Sequence, residues 1–115
     1  MPIPKPGSPV RGSATGRPIM ALLDLLSRRQ ALRILWELRE DPLRFRDLQA
    51  RAETSPSVLN TRLGELREAL IVELAPEGYR LTDLGRDLFQ HLAPLTQWSD
   101  TWAKRLAESG GDDGG

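Results

Sequence analysis

A short polar run that begins at Ser55 carries side chains able to hydrogen-bond to a ligand. Ser55, Ser57, Asn60 and Thr61 follow closely on one another at the start of an apolar-periodic stretch. Hydroxyl groups can contact phosphates or base edges, and asparagine can pair with adenine through two hydrogen bonds. The same side chains could instead form a solvent-exposed helix face that binds nothing. The elements that position them therefore decide between the two interpretations.

The basic side chains near this run are nearly all arginine. The formal net charge of the chain is zero, but residues 42–67 hold five arginines against three carboxylates and are therefore net positive. Arg44 and Arg46 precede the polar run and are candidate phosphate contacts, because arginine pairs well with phosphate. Arg62 and Arg80 are further candidates for nucleic-acid contact. Arg62 has the alternative of an ion pair with a neighbouring glutamate.

Other chemistry finds little support in the sequence. His91 is the only histidine and there is no cysteine, so a His/Cys metal site, a disulfide and a thiol sensor are excluded. No nucleophile-elbow, phosphate-loop or dinucleotide fingerprint is present. We therefore expect neither an enzyme nor a cofactor or metal, and no feature identifies a small-molecule effector.

Composition divides the chain into one domain and two tails. Residues 1–18 and 108–115 are rich in proline, glycine, serine or aspartate, and we expect both to be disordered. Residues 19–107 are expected to fold as a single domain. No apolar run reaches the length of a membrane helix, and no export signal is apparent, so we expect a cytoplasmic protein that does not bind membranes.

Apolar residues recur at helical spacing through most of this domain, with one short change of period. Helix signals and the β-branched run at Ile71 predict four helices, a hairpin and two helices. Ser27, Ser55 and Thr82 are candidate N-caps, and Pro94 either kinks the fifth helix or begins a sixth. The expected fold is mainly α with a small β-hairpin. It is a winged helix-turn-helix whose recognition helix spans about residues 56–70 and enters the major groove.

The first and last helices carry more apolar surface than so small a domain can cover. These side chains could complete the core of one chain, or they could pack on the same helices of a second copy. We favour a homodimer with dimerisation helices at both ends of the domain. The residues assigned to the interface are Leu22, Leu23, Leu26, Leu95, Trp98, Trp102 and Leu106.

Three stretches resemble the winged-helix regulators of the HxlR type. Residues 42–48 (PLRFRDL) resemble the family's GPLRFSEL, residues 59–66 (LNTRLGEL) its LTQRLREL, and residues 79–85 (YRLTDLG) its YSLTELG. The aromatic last helix is similar as well. The resemblance implies a homodimeric DNA-binding regulator whose first and last helices form the dimer. The wing is shorter here than in the family, with only Ala75 to Gly78 between its strands.

Two hypotheses about function follow. The first is a transcription regulator that binds duplex DNA, at a palindromic operator, as a homodimer. The alternative is a winged-helix module that binds another protein and no DNA, which the zero net charge would allow.

Overall fold

The computed structural model describes residues 3–7 and 16–114, with side chains described as far as Gly110. The predicted order of elements is confirmed, because four helices are followed by a hairpin and two further helices. The elements are α1 (Pro18–Leu26), α2 (Ala31–Glu37), α3 (Phe45–Ala52), α4 (Pro56–Glu68), β1 (Val72–Ala75), β2 (Gly78–Leu81), α5 (Asp83–Leu92) and α6 (Pro94–Gly114).

One apolar core joins the first four helices to the hairpin. Its side chains are aliphatic and come from every element between α1 and β2, so the helix-turn-helix pair α3–α4 rests on a continuous packed base. The largest fully buried members are Ile34, Leu35, Leu48, Leu59, Leu63, Leu66 and Leu81.

Polar caps and prolines fix where several helices begin. Ser55 Oγ accepts a hydrogen bond from Val58 N at 3.2 Å, and Pro56 occupies the first turn of α4, where a missing N–H costs nothing. Pro94 begins α6. The predicted cap at Ser27 is wrong. Ser27 ends α1, and α2 begins only after Gln30, whose φ of 70° interrupts the helix.

Three boundaries differ from those expected. Helix α4 ends at Glu68, because Leu70 adopts a φ of 66° and leaves the helix with an exposed side chain. Helix α6 continues through residues 108–114, which composition had assigned to a disordered tail. Ile3 packs against the core within the segment predicted as the N-terminal tail. Most of that tail, residues 1–2 and 8–15, lies outside the described residues.

The hairpin is a compact wing tied to the start of the helix-turn-helix. Strands β1 and β2 pair antiparallel, from Val72 opposite Leu81 to Ala75 opposite Gly78, and the loop between them has two residues. Leu43 and Tyr79 exchange backbone hydrogen bonds of 2.9 and 2.8 Å. A Cβ on Gly78, which has a φ of 132°, would lie 2.6 Å from the Leu43 carbonyl carbon, so only glycine fits this approach.

The wing, the end of α4 and the start of α5 meet at one tight junction. Thr82 N donates to Ile71 O at 3.0 Å, and Thr82 Oγ1 donates to Leu70 O at 2.6 Å. The same hydroxyl oxygen caps α5 by accepting from Gly85 N at 2.9 Å. A Cβ on Gly85 would lie 2.1 Å from Ile71 O, so the helix backbone itself abuts the chain that leaves α4.

Two further observations concern the described residues as a group. None of their helices has the length and apolarity that crossing a bilayer requires. Within the same residues, histidine, aspartate and glutamate side chains form no cluster of three or more suited to a metal ion.

Candidate nucleic-acid interface

The N-terminal half of α4 presents a polar face to solvent. Ser57, Asn60 and Thr61 are exposed and, at spacings of three and four, share one side of the helix. Leu59, Leu63 and Leu66 on the other side are fully buried and fix the helix on the core. Ser55 is also exposed, but its oxygen already caps the helix, which leaves its hydroxyl proton for a further acceptor.

Two arginines stand exposed at the start of α3. Arg44 is the N-cap residue of α3 and Arg46 lies in its first turn. Unlike several other described arginines, neither makes a salt bridge to another described residue. Their guanidinium groups are therefore available to an anionic partner without breaking an internal contact.

Arg62 does not belong to this exposed set, which corrects the sequence-based assignment. Its Nε donates to Arg29 O at 2.7 Å and its terminal nitrogen donates to Glu65 Oε1 at 2.6 Å. The Arg62 side chain is 17% exposed and that of Glu65 is 6% exposed. The ion pair considered as an alternative is the one that forms, so Arg62 holds α4 on the protein.

Glu65 is the functional residue that sequence reasoning missed. Its second carboxylate oxygen accepts from Arg28 at 2.5 Å, so one buried carboxylate joins two arginines. Arg28 follows the end of α1 and also lies 3.9 Å from Asp24. Its position along the chain offered no signal for this role, because the pairing with Arg28 joins residues 37 positions apart.

The wing offers little free positive charge. Arg80 Nε donates to Glu73 Oε2 at 2.6 Å, and Glu77 lies 3.8 Å away. The hydrogen bond and the charge of Glu73 raise the pKa of the Arg80 guanidinium. Contact between Arg80 and a phosphate would require the guanidinium to leave two carboxylates. The loop itself consists of Pro76 and Glu77, which adds a negative charge at its tip.

The residues that the sequence assigned to a dimer interface separate into two groups. Leu26 is buried in the chain's own core and Leu22 is half-buried against it, so neither is a free surface side chain. The sequence suggested an apolar surface all round α1, but helical periodicity turns these two inward. The remaining five are all more than half exposed, namely Leu23, Leu95, Trp98, Trp102 and Leu106.

An apolar groove of about 580 Å³ lies beside these exposed residues. Helices α1, α2, α5 and α6 form it, and its walls include the exposed side chains of Leu23, Leu32 and Trp36. On α6, the rings of Trp98 and Trp102 stack with centroids 5.9 Å apart. Contiguous apolar surface of this kind marks interaction sites in soluble proteins.

Comparisons with known proteins agree with this architecture. A family model described as HxlR-like helix-turn-helix matches residues 25–107. The solved structure of quinone-bound YodB from B. subtilis is similar, with a TM-score of 0.67 and 28% identity over 72% of this chain and 96% of that chain.

A putative transcriptional regulator of the MarR family from Enterococcus faecalis V583 has a TM-score of 0.65. It is 24% identical over 84% of this chain and 98% of that chain, and at this identity it shows the fold alone. No curated protein sequence gave a match.

The buried carboxylate yields a test of how α4 is held. Replacing Glu65 with glutamine should lower the free energy of unfolding by about 3 kcal/mol, because the largely buried Arg62 loses its paired carboxylate and Arg28 loses the nearer of two carboxylates. Urea denaturation measures the change. The matched control is Glu73→Gln, which removes a carboxylate from a half-exposed pair with Arg80 and should cost less than about 1 kcal/mol. Equal losses of stability in both variants would contradict this account.

Proposed function

Because the chain belongs to the HxlR-like helix-turn-helix family, whose members are DNA-binding transcription regulators and not enzymes, we propose that it binds a palindromic operator as a homodimer. The N-terminal half of α4 is the recognition surface and lies in the major groove of duplex DNA. The observation that carries this proposal is the exposed polar face of α4, preceded in the helix-turn-helix by Arg44 and Arg46, which are exposed and make no salt bridge to another described residue.

We assign the contacts to base edges to Ser57, Asn60 and Thr61. All three are exposed on one side of α4, near the helix N-terminus that helix-turn-helix proteins direct at base edges. The Asn60 amide can donate to N7 of an adenine while its oxygen accepts from the N6 amino group, which makes a bidentate pair. The two hydroxyls supply shorter contacts to bases or phosphates.

We assign the phosphate contacts to Arg44 and Arg46, and a further contact to Ser55. These contacts orient the protein on the duplex and carry no sequence information of their own. Arg62 and Glu65 pair with each other inside the protein and do not contribute to the charge of the surface. The exposed part of residues 42–67 then holds four arginines against Asp47 and Glu53 and is net positive. The zero net charge of the whole chain is therefore compatible with a locally positive face.

Dimerisation is proposed through α6 and the apolar groove. Helix α6 carries an exposed apolar stripe that no other described residue covers, made of Leu95, Trp98, Trp102 and Leu106. The groove next to this stripe is also lined mainly by apolar side chains. A second copy related by a two-fold axis would bury both surfaces and place two α4 helices on one side of the duplex.

The base-reading residues yield the first functional prediction. Asn60→Ala should reduce discrimination between the preferred site and random duplex DNA by about 1–3 kcal/mol, because one bidentate pair is removed. Thr61→Ala should act in the same direction. Selection of sites from random DNA, followed by titration, measures both. Gln90→Ala removes an exposed amide from α5 and is the control that should leave the selected site unchanged.

Phosphate binding is tested by the salt dependence of affinity. Arg44→Ala and Arg46→Ala should weaken all duplexes alike, and each should flatten the logarithmic salt slope by about one unit, because one phosphate fewer is neutralised. Arg44→Lys keeps the charge and should keep the slope. A wild-type affinity that does not respond to salt would favour the protein-interaction alternative, since apolar docking releases no counterions.

Dimerisation is tested by sedimentation at micromolar concentration. Trp102→Ala should weaken the dimer by about 3 kcal/mol, because a large aromatic side chain is removed from a buried interface. Leu74→Ala is the control, since Leu74 is as exposed as Trp102, at 52%, but lies on the wing. A 12.8 kDa wild-type monomer that still binds its site would contradict the dimer and the palindromic operator.

A further inference from the structure

A second apolar cavity, of about 550 Å³, lies between the N-terminal segment, α1 and α5. We call it the α1–α5 cavity. Its walls are mainly aliphatic and include the buried or half-buried side chains of Ile3, Ala21, Leu22, Leu25, Ile71 and Leu88. None of the residues proposed for DNA contact lines it. Leu22, which the sequence assigned to a dimer interface, faces this cavity instead.

Residues 3–6 form one wall of the cavity and are held in place by contacts of their own. Ile3 packs against the core, and Lys5 Nζ lies 3.7 Å from Glu68 Oε1 at the end of α4. The backbone N–H of Gly7 donates to Gly16 O at 2.7 Å, which ties this segment to the chain just before α1. Residues 3–6 therefore line one side of the cavity, which stays open to solvent.

Polar side chains are few: Lys5, whose ammonium group lies near Glu68, and two exposed residues of α5. Asp87 and His91 line the cavity one helical turn apart. The Nδ1 atom of His91 is 2.8 Å from Asp87 O, a carbonyl that can only accept, so Nδ1 carries a proton. In the neutral ring, Nε2 is then an acceptor, as is the Asp87 carboxylate. The complementary ligand has an apolar body and a hydrogen-bond donor at one end.

We propose that the α1–α5 cavity binds a small, uncharged, largely apolar molecule that carries such a donor. The volume lies within the range of about 300–1,000 Å³ found for small-molecule sites, which combine apolar walls with a few polar groups. A ligand with an apolar body would remove these aliphatic walls from water and gain dispersion contacts with them.

The bound molecule would touch the chain where it leaves the recognition helix. Ala69 and Ile71 line the cavity, and Ile71 N donates to Leu66 O in the last turn of α4 at 2.9 Å. Occupancy should therefore slow hydrogen exchange at the Ile71 amide. This readout reports on the site directly and requires no DNA, so it is independent of whether the proposed operator binding is correct.

The experiment titrates the intact chain with N-phenyl-1-naphthylamine, an uncharged aromatic amine whose fluorescence rises in apolar surroundings. The wild type should bind it saturably. Ala21→Leu fills the cavity from α1 and should weaken binding about tenfold or more. Leu84→Lys places a charge at a rim position that is more than half exposed and should weaken binding about threefold or more while leaving the fold intact. Leu74→Lys is the matched control and should bind like the wild type.

The control is close because Leu74 and Leu84 both border a neighbouring polar groove, whereas only Leu84 lines the cavity. If Ala21→Leu does not fold, Leu84→Lys and the exchange rate at Ile71 still decide the outcome. Absence of a saturable fluorescence rise in the wild type overturns the proposal. Equal affinity in Leu84→Lys and Leu74→Lys overturns it too, since the probe would then occupy another surface such as the groove beside α6.

Discussion

The buried carboxylate of Glu65 fastens α4 to the chain that follows α1. It is the one charged side chain that is buried among the described residues, and its two oxygens are shared between Arg28 and Arg62. A charge in such surroundings is tolerated only when it is paired and hydrogen-bonded. Arg28 and Arg62 thereby join α4 to the loop after α1. Together with the buried leucines on its other side, these contacts leave the polar face of α4 turned outward.

Local signals in the sequence were sufficient for the architecture. The Ser-Pro start of α4, the β-branched run at Ile71 and the threonine cap of α5 each fix an element through contacts within a few residues, and such contacts can be recognised from spacing alone. The match to the family over residues 25–107 confirms the resemblance expected from three short stretches. The roles of individual charged side chains were harder to predict from the sequence.

Long-range contacts account for what the sequence did not reveal. Arg28 and Glu65 are 37 residues apart, so their pairing depends on how the loop after α1 is brought to α4, and it leaves no local pattern in the sequence. Arg62 consequently looked like a surface arginine, and the leucines of α1 looked equivalent although Leu26 is buried and Leu23 is not. The α1–α5 cavity likewise arises from segments distant in sequence, including residues 3–6, whose composition alone suggests a disordered tail.

The contact between Gly85 and the carbonyl of Ile71 bears on how two subunits would measure DNA. Because the α5 backbone abuts the segment that leaves α4, and Thr82 binds the same point through hydrogen bonds, no flexible linker separates α4 from α5. Helix α6 follows α5 directly. In the proposed dimer, α5 and α6 would therefore hold the two α4 helices at one fixed separation. Such a protein discriminates between operators by half-site spacing as well as by sequence, and inserting a single base pair at the centre moves and rotates one half-site away from its helix.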